Sequence, residues 1–348
     1  MKIRRILAIV IAAVALATAA IFFANHVPAP STPNSLTVAI APYQDLAMLV
    51  NAHSQGFDKK EGISVHLVTM PWEDILPSVA SGGSTVDVGF GSYVEYLTKY
   101  AKLNANNPDP VVFIEPLYVY RGGGFVALSS NIAPFTKADL SNAVALQRLK
   151  QYKIGAQKQS LYDMMLYSVA RTGSIEPAQL RVYDSPMNDG LLALENGSLD
   201  LAAAGLPQIT EATKRGGHLV ISMDDAGFAD ITGFICKRST LQKKRPQLES
   251  LVRVWFKSVD YVYTDMRANS HDSLAYLAQT AATKYTYEQY VAALAQEYLP
   301  RNASELESSV LSSDGKYSYG RIGKTVNAYL VGTRLTNAPA PLPEPMLK

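Results

Sequence analysis

Residues 152–186, YKIGAQKQSLYDMMLYSVARTGSIEPAQLRVYDSP, decide the fold class. Lys153-Ile-Gly-Ala156 is a short run with the look of a strand, and Leu180-Arg-Val-Tyr183 is a second. Between them, Ser160 to Arg171 places apolar side chains at three- and four-residue spacing. Ser160 stands where a capping hydroxyl belongs and Gly173 where a helix stops, so the segment reads as a helix. Strand, helix and strand in this order make a βαβ unit.

The same alternation extends in both directions. Downstream, Asn188 to Glu195 reads as a helix closed by Asn196-Gly197, and Leu199 to Ala204 as a strand. Gln208 to Lys214 is a helix closed by Gly216-Gly217, and His218 to Ser222 a strand. Upstream, Leu36 to Ile40, Ile63 to Met70 and Val86 to Phe90 are strands. Helical spacing covers Asp45 to Ser54, Trp72 to Ser81 and the segment opened by Ser92, with Tyr93, Leu97 and Tyr100 on one face. Strands this continuously apolar belong in sheets covered on both sides. From Pro246 onward the pattern turns helical, with stretches at 270–282, 286–297, 303–311 and 321–334 that are expected to pack on the first unit.

The first five residues carry Lys2, Arg4 and Arg5, and Ile6 to Ala24 holds no charge. A positive start followed by an apolar run is an export signal. Ala17-Thr18-Ala19 offers a cleavage site, but as a helix the run would span about 28 Å, close to the ~30 Å hydrocarbon core. A cleaved signal peptide and a retained anchor both remain open, and both deliver the rest of the chain to the periplasm or the outer face of the cytoplasmic membrane. A linker with Pro28, Pro30 and Pro33 follows, and Pro339, Pro341, Pro343 and Pro345 mark a Pro-rich tail at the other end. Residues 36–348 carry 29 basic and 30 acidic side chains, which is no footprint for nucleic acid. Cys236 is the only cysteine, so neither an internal disulfide nor a cysteine-based metal cluster can form.

Catalytic motifs are absent. The five histidines show no paired metal-ligand spacing. Ser313-Asp-Gly-Lys316 has the spacing of a serine–lysine nucleophile, but Gly315 makes it a turn. Gly89-Phe-Gly91 fails the dinucleotide fingerprint because Val94 sits where the third glycine belongs. No catalytic residue, metal or cofactor is expected. The strand-to-helix corners carry the candidate site, since ligands of open α/β sheets bind outside the carboxyl ends of the strands. In the first unit these corners hold Tyr43, Gln44, Trp72, Gly91 and Ser92. In the second they hold Gln159, Ser160, Asp184, Ser185, Gly205 and Pro207. Amides at helix starts can bind anionic atoms and aromatics can wall a small solute. Ser92 and Ser160 would cap their helices in either case, and Tyr120 and Lys158 are weaker candidates.

These residues resemble a family. LTVAIAPYQD (36–45), QGFDKKEGISVHLV (55–68), ILPSVASGGSTVDVGFGS (75–92), 152–186 and GLLALENGSLDLAAAGLP (190–207) are similar to the nitrate/sulfonate/taurine-type solute-binding proteins, which include thiamine-pyrimidine binders. The resemblance implies a two-lobed type II periplasmic-binding-protein fold, α/β, with C-terminal helices and an N-terminal apolar segment ahead of it. It implies segments at 1–24 (signal or anchor), 25–35 (linker), 36–121 (first lobe), 122–235 (second lobe), 236–337 (return and helices of the first lobe) and 338–348 (tail). The two crossings between the lobes would lie around 115–124 and 228–238, the first of them flexing at Gly122-Gly-Gly124.

The implied function is capture of a small molecule for an ABC permease by a monomer without enzymatic activity. At the last corner Gly205-Leu-Pro-Gln208 stands where many members carry a Trp and an acidic or aromatic residue, so sulfonate-, nitrate- and pyrimidine-like solutes all stay open. A membrane-tethered sensor that recruits a partner is the alternative. A thiamine-pyrimidine-synthase-like enzyme is disfavoured, because such enzymes use a cysteine-rich motif.

Overall fold

Continuous apolar runs become the parallel strands of two separate sheets. The structure, a computed structural model, describes residues 34–339 except 82–84 and 282–283, together with Leu342, Pro345 and Met346. The apolar N-terminal segment and almost all of the linker lie outside the described residues. Among the described residues no helix is long and apolar enough to cross a membrane.

The described residues open with β1 (Ser35–Ile40), short helical turns over 46–60, β2 (Ser64–Thr69), α1 (Trp72–Ala80), β3 (Val88–Ser92), α2 (Tyr93–Asn104) and β4 (Val111–Tyr120). It then builds β5 (Gly124–Ala127), β6 (Lys153–Gly155), α3 (Leu161–Thr172), β7 (Arg181–Tyr183), α4 (Gly190–Glu195), β8 (Leu201–Ala204), α5 (Leu206–Lys214) and β9 (His218–Ser222). It returns through β10 (Asp230–Lys237) and α6 (Arg238–Thr264), then α7 (His271–Thr280), α8 (Tyr287–Leu294), β11 (Glu297–Tyr298) and α9 (Tyr319–Gly332). The first sheet has the order β11-β4-β10-β3-β1-β2 and the second β7-β6-β8-β5-β9.

Strand direction places the corners. In the first sheet β1 runs parallel to β2 and β3, while β10 runs antiparallel to β3 and β4. The register pairs Thr232 with Ser92, Asp230 with Tyr120, and Glu297 with Tyr120. One edge therefore gathers the ends of β1 to β4, the start of β10 and the start of β11. In the second sheet Gly124 faces Ala204 and Ser222, and Gly155 faces Tyr183, so the ends of β6 to β9 gather with the start of β5. Among the described residues the backbone passes between the two edges at 121–123 and 223–229, and Met223 N donates to Gly123 O across these connections at 3.0 Å.

Four elements differ from the sequence reading. β4 and β10 are full strands of the first sheet, where only crossings near 115–124 and 228–238 were expected. Pro116 breaks the apolar run of β4, and the β4–β10 register shifts beside it. α6 begins at Arg238, not at Pro246, and its backbone leaves helical geometry at Lys244 (φ −121°), two residues ahead of that proline. α9 packs on both units, not on the first alone. Its Tyr319 ring stacks on Tyr93 of α2 at 4.1 Å, while Tyr329 donates to Asp163 Oδ2 of α3 at 2.5 Å. The Pro-rich tail touches the body where it is described. Met346 N donates to Ile114 O at 2.8 Å, and Arg245 Nη2 donates to Met346 O at 2.7 Å.

Candidate functional site

The two gathered edges face each other, and side chains meet across them. After β1 the chain turns at Ala41, with Tyr43 N donating to Ala41 O at 2.8 Å. That turn puts the Tyr43 ring 6.3 Å from the ring of Trp72, the first residue of α1. Gln44 is buried and donates through Nε2 to Glu297 Oε1 at 2.6 Å, while its own Oε1 lies 3.3 Å from the Tyr285 hydroxyl. Trp72, Gly91, Ser92 and Glu95 line one small cavity at this edge. From the end of β4, the Tyr120 hydroxyl reaches to 3.3 Å from that of Tyr162 on α3.

Acidic groups crowd the first edge. Asp45 is buried, accepts from Leu46 N at 2.9 Å and takes the Tyr118 hydroxyl on its other oxygen. Burial pushes the proton affinity of Asp45 up, and burial beside Asp45 pushes that of Glu297 well above the usual carboxylate range. Burial, then the charges of Glu73, Asp45 and Glu95, push Tyr43 up to about 12. Asp230 accepts from Ser92 Oγ, from Val94 N at 3.1 Å and from Ile231 N at 2.7 Å. Burial still outweighs these donors and pushes Asp230 up to about 7.

The folded protein thus holds a proton on Asp230 that the unfolded chain releases near pH ~4. Its stabilising contribution is complete below about pH 4, is lost as pH rises to about 7, and changes no further above that. Urea unfolding across this window should show wild type losing on the order of a few kcal/mol relative to Asp230→Asn. Parallel pH curves for the two proteins would contradict the assignment.

On the second edge, Ser160 Oγ accepts from Asp163 N at 3.4 Å and caps α3. Gln159 adopts the left-handed region (φ 61°), held by its N–H donating to Asp163 Oδ2 at 2.9 Å. Asp184 is exposed and accepts from Lys158 N at 3.0 Å, which ties two corners of this edge together. Ser185 makes a 3.5 Å contact with Pro186 O. Gly205 stands immediately ahead of α5, and a side chain there would meet Gln208 Oε1 at 3.2 Å and the Tyr162 hydroxyl at 3.5 Å. Pro207 lies in the first turn of α5.

Tyr43, Gln44, Trp72, Gly91 and Ser92 gather on one edge, while Gln159, Ser160, Gly205 and Pro207 gather on the other. Asp184 and Ser185 are held only by contacts within their own edge. Sequence reasoning missed Tyr162, Asp45, Glu95, Asp230 and Glu297. Asp230 had a signal, an acid opening the run Ile231 to Cys236, but Glu297 lies in a two-residue strand with none. Cys236 is buried, and burial pushes its thiol up to about 12, so it stays protonated at neutral pH. Among the described residues no group of three or more His, Cys, Asp or Glu could hold a metal ion.

Comparison with known proteins bears on this arrangement. The sequence profile of the NMT1-like family matches residues 29–279. No curated protein matches the sequence. Among solved structures, the periplasmic aliphatic sulphonate binding protein of Escherichia coli is 14% identical, with a TM-score of 0.62 over 89% of this chain and 90% of that one. The alkanesulfonate-binding protein of Xanthomonas axonopodis pv. citri bound to MOPS is 16% identical, with a TM-score of 0.59 over 91% and 97%. The periplasmic nitrate-binding protein of Synechocystis is 15% identical, with a TM-score of 0.56 over 74% and 68%. At these identities the likeness establishes the two-sheet periplasmic-binding-protein fold.

Proposed function

The chain belongs to the NMT1-like family, and from that premise we propose that it is an extracytoplasmic solute-binding protein. One small molecule would enter the cleft between the two edges and be passed to an ABC permease in the cytoplasmic membrane. The observation that carries this reading is the opposition of two strand-end edges joined by two short connections, with Tyr120 and Tyr162 meeting between them. Two lobes so linked can close like a hinge on a solute. The sulphonate- and nitrate-binding relatives with this fold support the same reading. We assign residues 36–121 and 236–337 to one lobe and 122–235 to the other, with the protein acting as a monomer on the outer side of the membrane. Tyr43, Gln44, Trp72, Gly205 and Ser160 are the assigned solute contacts, joined by Tyr162.

Thermal unfolding of the full chain against sulfonates, nitrate, pyrimidines, aromatic acids and amines tests this. A solute at ~100 times its Kd adds about 2.7 kcal/mol, enough to raise Tm by several degrees. The shift should disappear in Trp72→Ala and Tyr162→Ala. Turnover of a substrate, or no shift with any compound, would overturn the receptor reading.

Closure also draws on α9, because Tyr329 reaches Asp163 on the opposite lobe. A hydrogen bond to a charged group contributes about 1.5–3 kcal/mol. Tyr329→Phe should therefore raise the apparent Kd for the stabilising solute by about tenfold, read by calorimetry. An unchanged Kd would mean that α9 does not favour the closed state.

A further inference from the structure

The charge of the solute follows from the charges that already line the cleft. Both serine-capped helix starts, the natural seats for an anion, hold a carboxylate of the protein itself. Asp230 accepts from Val94 N at the start of α2, and Asp163 Oδ2 accepts from Gln159 N beside the start of α3. The start of α1 has no side-chain cap but carries Glu73 and Asp74 in its first turn, which repel an anion. On the second edge α4 and α5 open without a side-chain cap bond or an acid in the first turn, but the residue ahead of α4 is Asp189, and Pro207 removes one of the amides of α5.

Acidic side chains bear on tyrosines of both edges. Tyr43, on one edge, feels Glu73, Asp45 and Glu95, while Tyr162, on the other, feels Asp230 and Glu95. Asp45 and Glu297 are each 5% exposed, and among the described residues no lysine or arginine forms an ion pair with either. Arg121 is the cation that bears on Glu297, and both of its Nη groups are engaged elsewhere, while its Nε is buried without a partner. The guanidinium pairs with Asp224 at 3.2 Å and donates to the carbonyls of Ala295 and Glu297 at 3.2 and 3.3 Å. A further observation points to a missing donor. Gln44 occupies Glu297 Oε1, but Oε2 is buried without a hydrogen-bond partner. Leaving a buried acceptor unmet is costly, and a ligand N–H would relieve that cost.

We propose that the cleft binds a solute bearing a protonated primary amine, whose N–H groups meet Glu297 Oε2 beside Asp45 and whose apolar frame lies against Tyr43 and Trp72. This inference rests on the receptor reading and adds the solute's charge and its need for N–H donors. A quaternary ammonium has the charge but no hydrogens to donate. The aromatic rings favour a cation in addition. Protonating the carboxylates removes their attraction, so affinity must fall toward acid. The groups packed around the pair are Tyr118 and Tyr120 of β4, Tyr263 of α6, Tyr285, Tyr290 of α8 and Arg121. For each of these tyrosines burial outweighs every other influence and raises its pKa, so none of them titrates in that range.

The test is calorimetric titration of the full chain with ethylamine, 2-phenylethylamine, the N-trimethyl form of the latter, 2-phenylethanesulfonate and nitrate. A primary amine should bind, the trimethyl form about tenfold or more weaker, and the sulfonate and nitrate not at all. Glu297→Gln should weaken amine binding by about tenfold or more. Wild type alone supplies a second readout: burial raises the proton affinity of both carboxylates, so amine affinity should fall as pH is lowered. Binding of the sulfonate or nitrate in place of the amine would overturn the amine inference and leave the receptor reading standing. Amine binding unaffected by both pH and Glu297→Gln would overturn the assigned contact. Silence from every compound, here and in the thermal panel, would overturn both readings.

Discussion

Trp255→Ala is expected to cost about 3–5 kcal/mol of stability and to weaken solute binding as well. Trp255 is fully buried on α6, with its ring 5.4 Å from Phe90 of β3 and stacked at 5.8 Å on Tyr118 of β4. Its removal leaves a cavity beneath the first sheet, and the neighbouring strands can collapse into it only in part. The functional effect travels through Tyr118, whose hydroxyl donates to Asp45 at the cleft edge. Trp255→Phe should cost far less. It keeps an aromatic ring in the stack and removes an indole N–H that is buried without a partner. Urea unfolding of both variants checks the order. Equal losses would mean that packing around this ring does not hold the sheet together.

Gly124→Ala should be similarly damaging, by about 3 kcal/mol or more, and for a different reason. Gly124 opens β5 directly after the first connection between the lobes and sits at φ +154°, where side chains are rarely tolerated. A Cβ there would lie 1.9 Å from the Ile221 carbonyl oxygen, so β5 must move away from β9 or the residue must change conformation. Either change shifts the edge that carries Gly205 and Tyr162. Gly56→Ala is the control. Gly56 also has positive φ (+65°), but a Cβ there meets nothing within 4 Å, so strain alone should cost about 1–2 kcal/mol. Chemical denaturation distinguishes the two, and comparable losses would show that the contact with β9 is not decisive.

The parallel strands were legible in the sequence because burial on both faces leaves continuous apolar runs. Ser92 and Ser160 were legible as helix starts because capping chemistry is local, and each accepts the backbone N–H three residues on. What could not be read were pairings made over long separations. β4 and β10 belong to one sheet although 109 residues separate Tyr120 from Asp230, and Pro116 obscures the first of them. The candidate site divides in the same way. Its corners follow from strand-to-helix turns, whereas its buried acids Asp45 and Glu297 are brought together only by the return of the chain. The expectation that helix starts would offer free amides missed Asp163 and Asp230, which already occupy two of them.

A distance across the cleft reports whether the two edges close on one solute. Cys236 is buried, so spin labels can be confined to cysteines introduced at exposed Asp74 and Lys158, one on each lobe. The distance distribution should shorten and narrow when the stabilising solute is added at ~100 times its Kd, and relax when it is removed. A distribution that stays the same with and without a bound solute would contradict closure of the cleft and the receptor function built on it.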